Sequence, residues 1–110
     1  MTHNSSTDTS GTRRRFRAAV VQLRSGSDTE SNLSHAVSLI REAAAAGATL
    51  IATPENTPFL GPHEEKVRRA ESTDGPTCRA FGAIAQELGI HLLLGSFAEK
   101  APGNHGIEWC

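Results

Sequence analysis

A parallel α/β fold with the element order β-α-β-α-β is what this 110-residue sequence predicts. Three observations carry that expectation. Short runs rich in Ala, Val, Ile and Leu recur along the chain, and two stretches with apolar residues at three- and four-residue spacing separate them. Each of those stretches stops at a glycine, Gly47 or Gly89, that leads directly into the next apolar run. A strand, a helix and a second strand in that order make a crossover, which pairs the strands in parallel and is right-handed in about 98% of cases.

Taken in order, Met1 to Thr12 holds almost only Ser, Thr, Asn, Asp and Gly, with nothing to bury, so a disordered tail is expected. Arg13 to Arg15 reads as a solvated flank. It resembles a twin-arginine signal only faintly, because Gln22 and Arg24 interrupt the apolar segment that follows. Phe16 to Leu23, with Ala-Val-Val at its centre, reads as the first strand. Ser25-Gly-Ser-Asp28 supplies turn chemistry, and the Ser, Asp and Asn residues through Asn32 offer several N-caps. Leu33, Ala36, Val37, Ile40, Ala43 and Ala44 then share one helix face, with His35 beside it as a solvated or satisfied histidine.

Ala48 to Thr53 reads as the second strand and breaks at Pro54, which delivers Glu55 into a turn. Ligands of open parallel sheets gather outside the carboxyl ends of strands, where loops converge, so a carboxylate placed there points to chemistry. Asn56 and Phe59 could line a pocket beside it or serve the turn and the packing. Pro58 to Gly75 reads as a long surface excursion with one or two exposed helical turns at 64–70. His63-Glu64 does not begin a zinc-protease motif, because the position four residues on is Val67. Asp74-Gly-Pro76 opens the second helix, along which Phe81, Ile84, Ala85 and Leu88 recur. Ile90 to Phe97 reads as the third strand, and Ile107 to Cys110 ends the chain without a matching element.

Composition narrows the function. One domain fits the length, and 37% apolar residues with only five aromatics describe a small, alanine-rich core. A net charge of −1 supplies no field for nucleic acid or an anionic membrane, so neither partner is expected. No apolar run approaches the roughly 18 residues of a bilayer span. Cys78 and Cys110 form no CxxC or Cys/His cluster, so no metal site or disulfide framework is indicated and a cytoplasmic setting fits. GxGxxG, GxxxxGK[ST] and GxSxG are all missing, which removes the usual signals for nucleotide binding and serine hydrolysis. No cofactor is called for.

Six features nevertheless occur in succession: Ala19-Val-Val-Gln-Leu23, Asn32 with its helix, Gly47-Ala48, Leu50-Ile-Ala-Thr-Pro-Glu-Asn56, Asp74-Gly-Pro76, and Gly89-Ile-His-Leu-Leu-Leu-Gly-Ser96. In this the chain resembles the N-terminal part of the nitrilase superfamily of carbon-nitrogen hydrolases, and most of all its amidase-like Nit branch. The resemblance implies an α-β-β-α sandwich, of which this β-α-β-α-β segment is an incomplete part with a sheet face or edge left uncovered. Such a surface favours association. The resemblance divides the chain into a disordered polar tail (1–15), the N-terminal part of a hydrolase domain (16–99) and an irregular, truncated or non-native end (100–110).

The resemblance also implies a Glu-Lys-Cys triad acting on an amide or nitrile of a small molecule, in a homo-oligomeric complete enzyme. Only Glu55 matches, as the general base that raises the thiolate character of a cysteine. Lys100 and Cys110 lack the family's surrounding residues. Cys78 falls among the apolar positions of its helix, the place of a structural thiol. The 110 residues alone are therefore expected to be inactive. The alternatives are a truncated fragment without activity and a non-catalytic βαβαβ module that binds a protein partner.

Overall fold

In the computed structural model, which describes residues 14–100 and the backbone of residues 107–109, the elements fall in the expected order. β1 (Arg17–Val20) leads through α1 (Thr29–Ala45) to β2 (Ala48–Ala52). α2 (His63–Arg68) and α3 (Pro76–Leu88) then precede β3 (His91–Leu93). The three strands make one parallel sheet in the order β1-β2-β3. The expected polar tail as far as residue 13, the turn-rich stretch 101–106 and Cys110 lie outside the described residues.

Strand pairing sorts the apolar residues by face. Ala19, Ile51 and Leu92 are cross-strand neighbours; Ile51 belongs to a buried core with Ala36 and Ile40 of α1 and Phe81 and Ile84 of α3, and the partly buried Ala19 and Leu92 pack against it. Both long helices therefore cover the same side. A strand order that advances steadily while its helices stay on one side is what two crossovers of the same hand produce. Ile40 and Ile51 are wholly excluded from solvent, and burying each contributes about 1.5–3 kcal/mol. Ala18, Val20, Leu50 and Leu93 take the alternate positions and face the other way. That face is open: Val20 is 84% exposed and Leu93 60%, although parallel sheets are ordinarily covered on both sides.

Local chemistry explains where the helices start and stop. Asp28 is the N-cap of α1, its carboxylate accepting from the N–H of Ser31 at 3.2 Å. At the other end the Arg17 guanidinium donates to the carbonyl of Ala46, a cation against the negative end of the helix. The Arg41 guanidinium clips α1 to α3 by donating to both carboxylate oxygens of Glu87, which holds that exposed acid below the ordinary carboxylate range. α3 carries Pro76 in its first turn and ends at Gly89, whose φ of 65° suits a residue without a Cβ.

The α3 N-terminus has an additional anchor. Glu71 accepts from the N–H of Thr77 at 2.8 Å and from its hydroxyl at 2.7 Å, and Thr77 has no solvent exposure. Removing the acid leaves two buried donors without partners, so Glu71→Ala is expected to lower unfolding free energy by about 1–3 kcal/mol. Urea denaturation of the two proteins measures it, and a difference below about 0.5 kcal/mol, the ordinary surface value, is the contrary result.

Three strand expectations are revised, the first being the strand expected from Phe16 to Leu23, of which β1 covers only Arg17–Val20. The third strand was expected to run from Ile90 to Phe97, yet ladder pairing ends at Leu93. Gly95 and Ser96 bond instead to the segment that leaves β2, which draws the chain out of the sheet. The residues at 107–109 also have a partner after all. β4 (Ala98–Lys100) and β5 (Ile107–Trp109) pair antiparallel, and β4 is tied to Glu71 through the Glu71 N–H to Ala98 and the Lys100 N–H to Glu71.

Candidate active site

β2 ends in Ile-Ala-Thr-Pro-Glu-Asn, and the residue types dictate how it ends. Thr53 makes the last ladder bond, its N–H donating to Leu93 at 2.9 Å. Pro54 has no N–H to continue the ladder, so the chain must leave the sheet. Asn56 takes φ 56° and is the one non-glycine with positive φ among the described residues. Asn is among the few side chains that enter the left-handed region readily. The turn throws Glu55 to its tip, where the side chain is exposed beyond the carboxyl end of the sheet's central strand.

The turn is held from two sides. On the β3 side, the N–H of Asn56 donates to the hydroxyl of Ser96 at 2.9 Å, and the N–H of Thr57 donates to the Ser96 carbonyl at 3.2 Å. Beneath them lies a small hydroxyl cluster. The Thr57 hydroxyl reaches that of Thr53 at 3.0 Å, and Thr53 accepts from the N–H of Gly95 at 3.2 Å. Both threonines are buried. On the α1 side, Ser25 donates to the carbonyl of Thr57 at 2.8 Å and Asn32 donates to that of Pro58 at 2.8 Å. Buried polar groups with partners on both sides fix a conformation tightly.

Phe59 closes the segment from below. It is 6% exposed, and the Arg69 guanidinium lies 5.3 Å above its ring. Of the two roles open to Asn56 and Phe59, Asn56 shapes the turn and Phe59 packs. Arg69 is held in turn by Glu65, whose carboxyl lies below its ordinary range because Arg69 donates to it.

The other candidates stand elsewhere. Cys78 is half-buried on α3, and Lys100 is the exposed last residue of β4. His63 opens the exposed α2, and His35 is exposed on α1. None of the four joins Glu55 in the network just described. That network does recruit residues for which the sequence suggested no part at the turn: Ser25, Thr57, Gly95, Ser96, and Asn32 in this role. One signal was present. Asn32, Ala36 and Ile40 are spaced by four along α1, so the first of them is a polar residue on the buried stripe, and such a residue needs partners.

Known proteins of one family are similar in sequence to this chain. The carbon-nitrogen hydrolase family profile matches residues 17–109. The chain is 36% identical over 90 residues to the omega-amidase of Mus musculus, covering 80% of this chain and 32% of that protein. It is 39% identical over 92 residues to the deaminated glutathione amidase of Bos taurus, covering 83% and 26%. A hydrolase of Mycobacterium tuberculosis is 40% identical over 89 residues, covering 80% and 31%. The chain thus spans about a third or less of the length of these relatives. A profile match across nearly the whole described region, on a parallel sheet of the expected order, shows that the chain belongs to the carbon-nitrogen hydrolase family, on its amidase-like branch.

Proposed function

We propose that this chain is the base-bearing part of an enzyme that hydrolyses an amide of a small molecule, with Glu55 as the general base. The observation that supports it best is the turn itself. Its backbone is bonded from both flanking loops while the carboxylate at its tip stays exposed to a reactant. In this reading Glu55 takes the proton of a cysteine thiol, and the thiolate attacks the amide carbon. A lysine ammonium stabilises the oxyanion that forms. Glu55 returns the proton to the departing amine, leaving a thioester that water then hydrolyses with the same carboxylate as base. The cysteine and lysine come from sequence other than residues 16–99. A nitrile is the alternative substrate, and the complete enzyme is read as cytoplasmic and homo-oligomeric. The cytoplasmic reading rests on two cysteines outside any paired spacing.

The open face of Val20, Leu50 and Leu93 favours a second reading, a non-catalytic module that docks a protein partner there. One experiment separates the two. Residues 17–109 are grafted in place of the matching segment of the mouse omega-amidase, and ammonia release from a small primary amide is followed. Turnover by the graft and none by the 110-residue chain alone is the expected result. A graft that melts cooperatively yet releases no ammonia contradicts the hydrolase reading, and turnover by the isolated chain contradicts the expectation that these 110 residues alone are inactive.

A further inference from the structure

Asn32 is an unusual residue for the first turn of an amphipathic helix. It is 8% exposed, and its amide makes three hydrogen bonds, all outside its own helix. The Oδ1 accepts from the N–H of Gly26 at 3.0 Å, while the Nδ2 donates to the carbonyls of Gly26 and Pro58, each at 2.8 Å. Helix formation does not require this arrangement, since Asp28 already caps α1. A leucine at the same position would bury more apolar area. The amide instead joins two loops that are not neighbours in sequence. Ser25 reinforces the junction through Thr57, and the N–H of Leu60 adds a bond to Gly26 at 2.9 Å.

We propose that Asn32, assisted by Ser25, is a positioning residue for the Glu55 turn. Pro58 has no N–H, so its carbonyl is its one polar backbone group, and a donor aimed at that oxygen fixes where the turn closes. With Ser96 holding Asn56 and Thr57 from the opposite side, the turn between them cannot tilt without breaking a bond on one side or the other. Asparagine suits the place because it donates and accepts from one small planar group, whereas an aspartate of the same shape would set a second acceptor against two carbonyls. The catalytic meaning of this strap rests on the reading of Glu55 as the base. The strap itself does not.

The test uses the 110-residue chain and NMR, so a failure of Glu55 as base leaves its outcome untouched. In Asn32→Asp, the amide signals of residues 55–60 and the Glu55 side-chain carboxyl signal are expected to move. The Leu60 N–H bonds to the same Gly26 carbonyl that Asn32 holds, so its exchange is expected to accelerate about ten- to a hundredfold as that junction opens, while Ile51 and Ala52 stay within about twofold. A residue that served only its own helix would leave the Glu55 carboxyl signal where it was. Changes confined to residues 26–36, or equal acceleration at Leu60 and Ile51 in a folded variant, overturn the proposal. If Asn32→Asp unfolds the chain, Ser25→Ala decides: localised movement at residues 55–60 supports the strap, and unchanged signals there overturn it.

Discussion

In the grafted enzyme, Glu55→Gln is expected to lower kcat by about a hundred- to ten-thousandfold, the range for loss of a positioned general base. Glutamine matches the shape of the carboxylate and cannot accept the proton. The turn should survive the change, because the bonds that hold it run through the backbone of Asn56, Thr57 and Pro58. Unfolding free energy should therefore move by no more than about 0.5 kcal/mol, as for an ordinary exposed position. Glu55→Asp retracts the same group by one methylene and should fall between the two, since an error of about 1 Å in placing a catalytic group can cost a hundredfold. Kinetics and urea melts on the three proteins check this. Retention of kcat within about twofold in Glu55→Gln would remove the base from this position.

Gly95→Ala is expected to damage the site without touching the acid. A Cβ built on Gly95 would lie 2.3 Å from the carbonyl oxygens of both Thr53 and Pro54, which are backbone atoms with nowhere to swing. The constraint is proximity. The segment leaving β3 runs so close to the start of the Glu55 turn that only hydrogen fits between them. A methyl group must push the two apart, stretching the bonds from Gly95 to Thr53 and from Asn56 and Thr57 to Ser96. Overpacking together with strained hydrogen bonds should cost about 2–4 kcal/mol, a large fraction of the 5–15 kcal/mol of a typical domain. Urea denaturation of the 110-residue chain reads the stability, and ammonia release by the graft reads the placement of the acid. A variant that matches the parent in both would show that the two segments part easily.

The scaffold was legible in the sequence for reasons that these residues make plain. Ile40 and Ile84 lie on periodic patterns that local sequence displays in full, Ile51 lies in a short apolar run, and Gly47 and Gly89 mark the helix ends one residue past the last apolar position. Glu55 could be placed because Pro54 forces the end of β2 whatever the rest of the chain does. The struts around it were hidden for the opposite reason. Ser25, Asn32 and Ser96 belong to residue types that abound in turns and caps, and what distinguishes them is a partner some thirty or forty positions away. The strand boundary at Leu93 failed in the same way, since Leu94 and Phe97 continue an apolar run locally while the backbone between them answers to the Glu55 turn. The pairing of β5 escaped notice because an Ile-Glu-Trp triplet is too short to show a period.

Those long separations bear on the order in which the molecule assembles. Asn32 to Pro58 spans 26 positions, Ser25 to Thr57 spans 32, and Asn56 to Ser96 spans 40. Contacts between residues so distant must wait for loop closure, while helices close within themselves almost at once. The turn bearing Glu55 is therefore seated after the helices, together with the sheet pairings of similar separation. During synthesis β1, α1 and β2 can associate as soon as they emerge, but the acid stays unanchored on one side until Ser96 has left the ribosome. Its geometry is a property of the completed double crossover.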